Sequence, residues 1–146
     1  MRLTTKTEPE TKNFGKKIAS TLRGGDIVAL YGELGTGKTV FTKGLAAGLG
    51  VKEEITSPTF TLMNIYKIQS PGSKVQSLVH VDTYRLKNEA ELIGIGAEDY
   101  IGAPGTITVI EWPEKITSLL KLKTVINIHF KHGQTPSERS VEVRDN

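Results

Sequence analysis

An α/β sandwich around a mixed sheet is the fold class the sequence predicts. Three observations carry it: short apolar runs typical of buried strands, amphipathic helical stretches between them, and two strand pairs joined by turn residues. The chain has 146 residues, the usual size of one packed domain, here 1–146. No run of about 18 apolar residues is present to cross a bilayer. The first residues lead into Glu8 and Glu10 rather than an apolar stretch, unlike a secretion signal, so the cytoplasm is the expected location. With no cysteine, disulfides, thiolate metal sites and a cysteine nucleophile are excluded. A net charge of +3 is mildly basic, in keeping with an RNA-linked role but short of a dedicated nucleic-acid binder.

The elements follow in order. Thr7-Glu8-Pro9-Glu10 fits a capping box, and Phe14, Ile18 and Leu22 recur along one helical face until Gly24 and Gly25 stop it. Ile27-Val28-Ala29-Leu30-Tyr31 is too short for a helix and predicts a strand buried on both faces. Residues 38–49 repeat with helical period through Phe41, Leu45 and Leu49, and Gly50 ends them. Residues 59–68 and 75–81 form a hairpin about Ser70-Pro71-Gly72-Ser73. Asn88 caps a short helix carrying Leu92, and a second short helical stretch holds Tyr100. Residues 106–110 are a strand ending in Glu111-Trp112-Pro113, and 125–130 with 140–143 close the chain as a second hairpin.

Between the first strand and the second helix lies Gly32-Glu33-Leu34-Gly35-Thr36-Gly37-Lys38-Thr39, a phosphate-binding loop in its required context of strand, glycine turn and helix. It refines the fold to a P-loop NTPase three-layer sandwich with a mixed, mainly parallel sheet and antiparallel hairpins. A triphosphate needs inward-facing backbone amides, a cation and a ligand for its magnesium. Glycines allow close backbone approach, the helix start adds positive potential, Lys38 reaches the β and γ oxygens, and the Thr39 hydroxyl meets magnesium. Such a site also needs an acid at the end of a second buried strand. Asp82 and Glu111 both qualify; Glu111 is favoured for the metal, leaving Asp82 to hold a water or orient the loop around Thr59. Hydroxyls in residues 56–59 form either a γ-phosphate switch or a plain turn. His80 reads as a strand histidine bonded to a backbone group, or as part of the site. Arg85 binds phosphate or pairs with Glu89. Trp112 reads as core or interface. Lys12, Lys16 and Lys17 read as a solvated helix face.

A small-molecule kinase needs several arginines near the loop, whereas Arg2, Arg23, Arg139 and Arg144 fall outside the motif segments. The Asn-Lys-x-Asp signature of a GTPase is absent, and no apolar strand leads into Asp99-Tyr100-Ile101-Gly102. What remains is a minimal ATPase whose turnover gates a partner. A nucleotide-sensing module and a metabolite kinase are the alternatives.

Four blocks in order, 32–39, Ser-Pro-Thr-Phe-Thr-Leu at 57–62, His-Val-Asp-Thr-Tyr-Arg at 80–85 and Glu-Trp-Pro-Glu at 111–114, resemble the TsaE (formerly YjeE) family over nearly the whole chain. The resemblance implies an ATP- and Mg2+-dependent ATPase of tRNA threonylcarbamoyladenosine (t6A) synthesis at adenosine 37. It would act on the TsaD transferase and its TsaB partner, resetting that complex between cycles and meeting tRNA only through it, with no membrane involved. Carried onto this chain, it gives Thr39 and Glu111 as magnesium ligands, and Gly35, Thr36, Gly37, Lys38 and Thr39 with Val40 as the nucleotide cradle. Thr11 falls near the base, Lys38, Asp82 and Glu111 form the catalytic set, and Asp82 and Trp112 match positions tied to hydrolysis or partner contact. Thr36 replaces the more usual Ala or Ser, and Val40 a frequent second Thr.

Overall fold

The computed structural model describes residues 1–58 and 62–145. One seven-stranded sheet runs β1 (Arg2–Thr5), β7 (Arg139–Asp145), β6 (Val125–His132), β2 (Ile27–Tyr31), β5 (Thr106–Glu111), β4 (Ser77–Asp82) and β3 (Met63–Lys67) from edge to edge. The four inner strands β6, β2, β5 and β4 are parallel, while β7, β1 and β3 are added by antiparallel pairings. Parallel strands buried on both faces read as continuous apolar runs, which is why β2 and β5 were legible. All six residues of β5 are buried.

Alternation along β2 splits the core into two layers. Val28 and Leu30 join Phe14, Phe41, Leu45 and Phe130 on one face, and Ile27 and Ala29 join Leu92, Ile101, Ile116 and Leu120 on the other. The first face is covered by α1 (Glu8–Ala19) and α2 (Lys38–Leu49). Phe41 stands between Phe14 and Phe130, with centroids 5.5 and 5.6 Å away. The second face is covered by short pieces: α3 (Ala90–Gly94), α4 (Thr117–Leu120) and single 3₁₀ turns at Ala97–Asp99 and Pro113–Ile116.

Three expectations are corrected. β1 was not foreseen; it is held by its ladder to β7, from Arg2 opposite Glu142 to Thr5 opposite Arg139. α1 ends at Ala19 with Ser20 as its cap, ahead of Gly24 and Gly25, so Leu22 packs against the core from outside the helix. Glu89, not Asn88, precedes α3, and Tyr100 only ends the 3₁₀ turn. The start of α1 is as expected: Thr7 Oγ1 accepts from the Glu10 amide at 3.3 Å. The part of the predicted first hairpin on residues 59–61 lies outside the described residues. Among the described residues, no helix is long and apolar enough to cross a membrane.

Candidate functional site

The parallel strands aim their C-terminal ends at one edge, where an open α/β sheet binds ligands. β2 runs into the loop 32–37. β4 and β5 end in Asp82 and Glu111, paired directly across the ladder, and Leu30 of β2 pairs with Glu111 from the other side. Glu111 shares strand parity with Ile107 and Val109, and Asp82 with Leu78, all on the α2 face. Two-residue periodicity therefore turns both carboxylates toward the start of α2.

The result is a cleft of about 260 Å3. Thr11, Gly35, Gly37, Lys38, Thr39 and Val40 line it, together with Asp82, Glu111, Ser57 and Trp112. Every predicted site residue except Thr36 lies on this wall. Thr36 is buried beneath, where its hydroxyl donates to the Glu33 carbonyl at 2.6 Å and ties the loop. Gly35 has φ 76°, and a Cβ there would meet nothing within 4 Å, so its Cα faces open cleft.

Lys38 is only 4% exposed. Its ammonium donates to the Gly32 carbonyl at 2.5 Å and stands 3.7 Å from the Trp112 ring centroid. Burial lowers its pKa against the pull of Glu111, Glu114 and Asp82. Asp82 is pushed the other way: burial raises its pKa, opposed mainly by the Tyr84 amide, which donates to Oδ1 at 3.0 Å. The Thr39 hydroxyl makes no side-chain hydrogen bond among the described residues.

Several expectations shift. His80 bonds no backbone group; it is fully buried, with Nε2 2.7 Å from Glu111 Oε2. Trp112 is not core: at φ 62° it opens a 3₁₀ turn and lies over Lys38, while the buried Thr83 hydroxyl donates to its carbonyl and to that of Glu111. Arg85 is exposed and Glu89 does not pair with it, because the Glu89 carboxylate takes both the amide and the hydroxyl of Ser118. Lys12, Lys16 and Lys17 are exposed, as expected. Ser57 reaches the cleft, while Thr59 lies outside the described residues.

Sequence reasoning missed the wall contributed by the last hairpin. Arg139 Nη2 donates to the Gly35 carbonyl at 3.1 Å, and Ser137 and Glu8 stand beside it on the cleft. Arg139 is 104 positions from Gly35, so no local motif marks it. The signal present in the sequence was an arginine opening the terminal strand.

Fold and loop together define a P-loop α/β protein. The family model described as "Threonylcarbamoyl adenosine biosynthesis protein TsaE" matches residues 5–141. The chain belongs to the TsaE family. It is 41% identical over 125 residues to the tRNA threonylcarbamoyladenosine biosynthesis protein TsaE of Treponema pallidum, covering 86% of this chain and 87% of that one. To its namesake from Streptomyces coelicolor it is 37% identical over 131 residues, covering 87% and 84%. The crystal structure of Bacillus subtilis YdiB superposes with a TM-score of 0.73 at 33% identity, over 97% of this chain and 82% of that one.

Proposed function

We propose that this protein binds and hydrolyses ATP with magnesium, and that this turnover serves t6A modification of tRNA position 37 by acting on a TsaD–TsaB complex. The observation that supports it best is the glycine cradle at the start of α2, open at Gly35, sharing a cleft with one ammonium and two strand-end carboxylates.

The residues suit the group. Amides of 35–39 and the α2 N-terminus favour phosphate oxygens. Lys38 swings from the Gly32 carbonyl to the β and γ oxygens, exchanging one charge-assisted bond for stronger ones. Thr39 and Glu111 would hold magnesium. No cluster of three or more metal-binding His, Asp or Glu exists among the described residues, so the remaining ligands are phosphate oxygens and water, the usual magnesium arrangement. When bound, the metal neutralises charge developing between the β and γ groups. Asp82, with its raised pKa, is suited to orient the attacking water and take its proton. Thr11 and Val40 would flank the nucleoside end, and Arg139 ties the loop through the Gly35 carbonyl.

Phosphate release measured with and without TsaD, TsaB and tRNA tests this reading. The expected outcome is slow turnover alone and faster turnover with the complex; negligible turnover in both leaves a nucleotide sensor. Pull-down of TsaD and TsaB with and without ATP tests the partners.

A further inference from the structure

His80 stands out as a polar group that fold stability does not call for. It is fully buried on β4, flanked in register by Val109 of β5 and Asn64 of β3, and an apolar side chain of similar volume would sit there without polar desolvation. Opposite Val109 in register, it has Glu111 as its diagonal neighbour on β5. A carboxylate only accepts, so the 2.7 Å contact is an N–H donated from Nε2 to Oε2. The other ring nitrogen, Nδ1, is buried without a partner among the described residues. Among the described residues one nitrogen is thus satisfied by Glu111 and the other has no partner, an arrangement that serves Glu111 rather than the core. Glu111 is itself 4% exposed, and its Oε1 makes no hydrogen bond among the described residues while the residue lines the cleft.

We infer that His80 is a positioning residue: it holds Glu111 by Oε2, fixing the carboxyl so that Oε1 meets the metal that accompanies the nucleotide. This rests on the magnesium–nucleotide reading above. Partners that orient ligating carboxylates change metal affinity by about 10–100-fold when removed.

The test is calorimetric titration of wild type, His80→Leu and His80→Gln with a non-hydrolysable ATP analogue, without magnesium and at rising magnesium. For His80→Leu, metal-free affinity stays within about 3-fold of wild type, while the magnesium needed for half-maximal strengthening rises about 10–100-fold. His80→Gln, whose amide reaches the place of Nε2, recovers most of the loss. A purely structural role would lower the melting temperature and leave the magnesium dependence alone, so an unchanged dependence in His80→Leu overturns the inference. Should His80→Leu not fold, His80→Asn replaces it: its amide stops short of Oε2, and equal magnesium dependence in the Asn and Gln variants overturns the inference too. Wild-type binding indifferent to magnesium is a different failure, that of the functional reading itself.

Discussion

Gly32 and Gly35 both sit at positive φ, 146° and 76°, yet an added methyl group meets different surroundings at each. At Gly32 it would lie 2.7 Å from the Phe130 carbonyl, which is backbone and cannot yield. At Gly35 it would project into open cleft. Gly35→Ala therefore loses only the left-handed backbone preference, about 1–2 kcal/mol, but places a methyl group where phosphate would lie. Gly32→Ala adds a clash to a backbone region almost reserved for glycine and should lose about 3 kcal/mol or more. Urea unfolding with nucleotide titration separates the two: a folded, non-binding Gly35 variant is expected, and an intact nucleotide affinity in it would contradict the cradle.

Asp82 and Lys38 bring a second prediction at this scale. Burial raises the Asp82 pKa, so the folded state holds its proton more tightly than the unfolded chain. Stability is therefore lost as pH rises from the ordinary carboxyl value of 3.8 through the raised one, and the full cost stands above that raised value. Lys38 is the mirror case: its lowered pKa means a cost fully present below the folded value that fades as pH climbs from there toward 10.5. Asp82→Asn and Lys38→Met should each melt above wild type at pH 7 without nucleotide. The Asn advantage should vanish near pH 3.8 and the Met advantage near pH 10.5. Both variants should lose turnover, as groups strained for function do. Melting curves across pH check this, and a lower melting temperature for both at neutrality would contradict it.

Among elements, α1 and α2 pack closely because glycines let them. A Cβ at Gly44 would come within 2.0 Å of the Lys12 carbonyl, and one at Gly15 within 2.3 Å of the Phe41 carbonyl. Gly44→Ala must push the helices apart, at an expected cost of about 3 kcal/mol or more. It should also weaken nucleotide binding, since α1 carries Glu8 and Thr11 on the cleft wall. Gly94→Ala is the control. Nothing lies within 4 Å of its Cβ position, so it should be neutral or stabilising by about 0.5–1 kcal/mol. Denaturant midpoints of the two variants check the pair.

This scale also explains what the sequence made legible. β2, α2 and β5 announced themselves because each has a period or an unbroken apolar run. α2 showed its Phe41, Leu45 and Leu49 face, but not that Gly44 was a contact surface, because a missing side chain has no hydrophobic signature. β1 is four residues long with only Thr5 fully buried, so its strand character comes entirely from β7. The helices of the second face, five and four residues long, are too short to repeat a helical period, which is why their boundaries slipped. Within the site, loop and strand-end acids could be read from local patterns. Arg139 and the His80–Glu111 contact arise only when distant strands align.

Taken whole, the sheet ties every part of the chain to every other: β1 near one terminus pairs with β7 near the other, and the two core layers share the same strands. None of the four inner strands can leave without exposing both layers, so urea should unfold the protein in one cooperative step with coincident fluorescence and circular dichroism curves. The cleft draws on α1, the loop, α2, β4, β5 and β7, all of which must be in place together. Nucleotide bound there should stabilise the entire fold and not one subregion. At a ligand concentration 100 times the dissociation constant the gain is about 2.7 kcal/mol. For a chain of this size that is a rise of about 6–11 °C in Tm. Magnesium–ATP should produce the shift in wild type, Lys38→Ala should abolish most of it, and the transition should remain single throughout. A second transition, or a ligand shift confined to one of two, would mean that the cleft belongs to a unit able to fold apart from the rest.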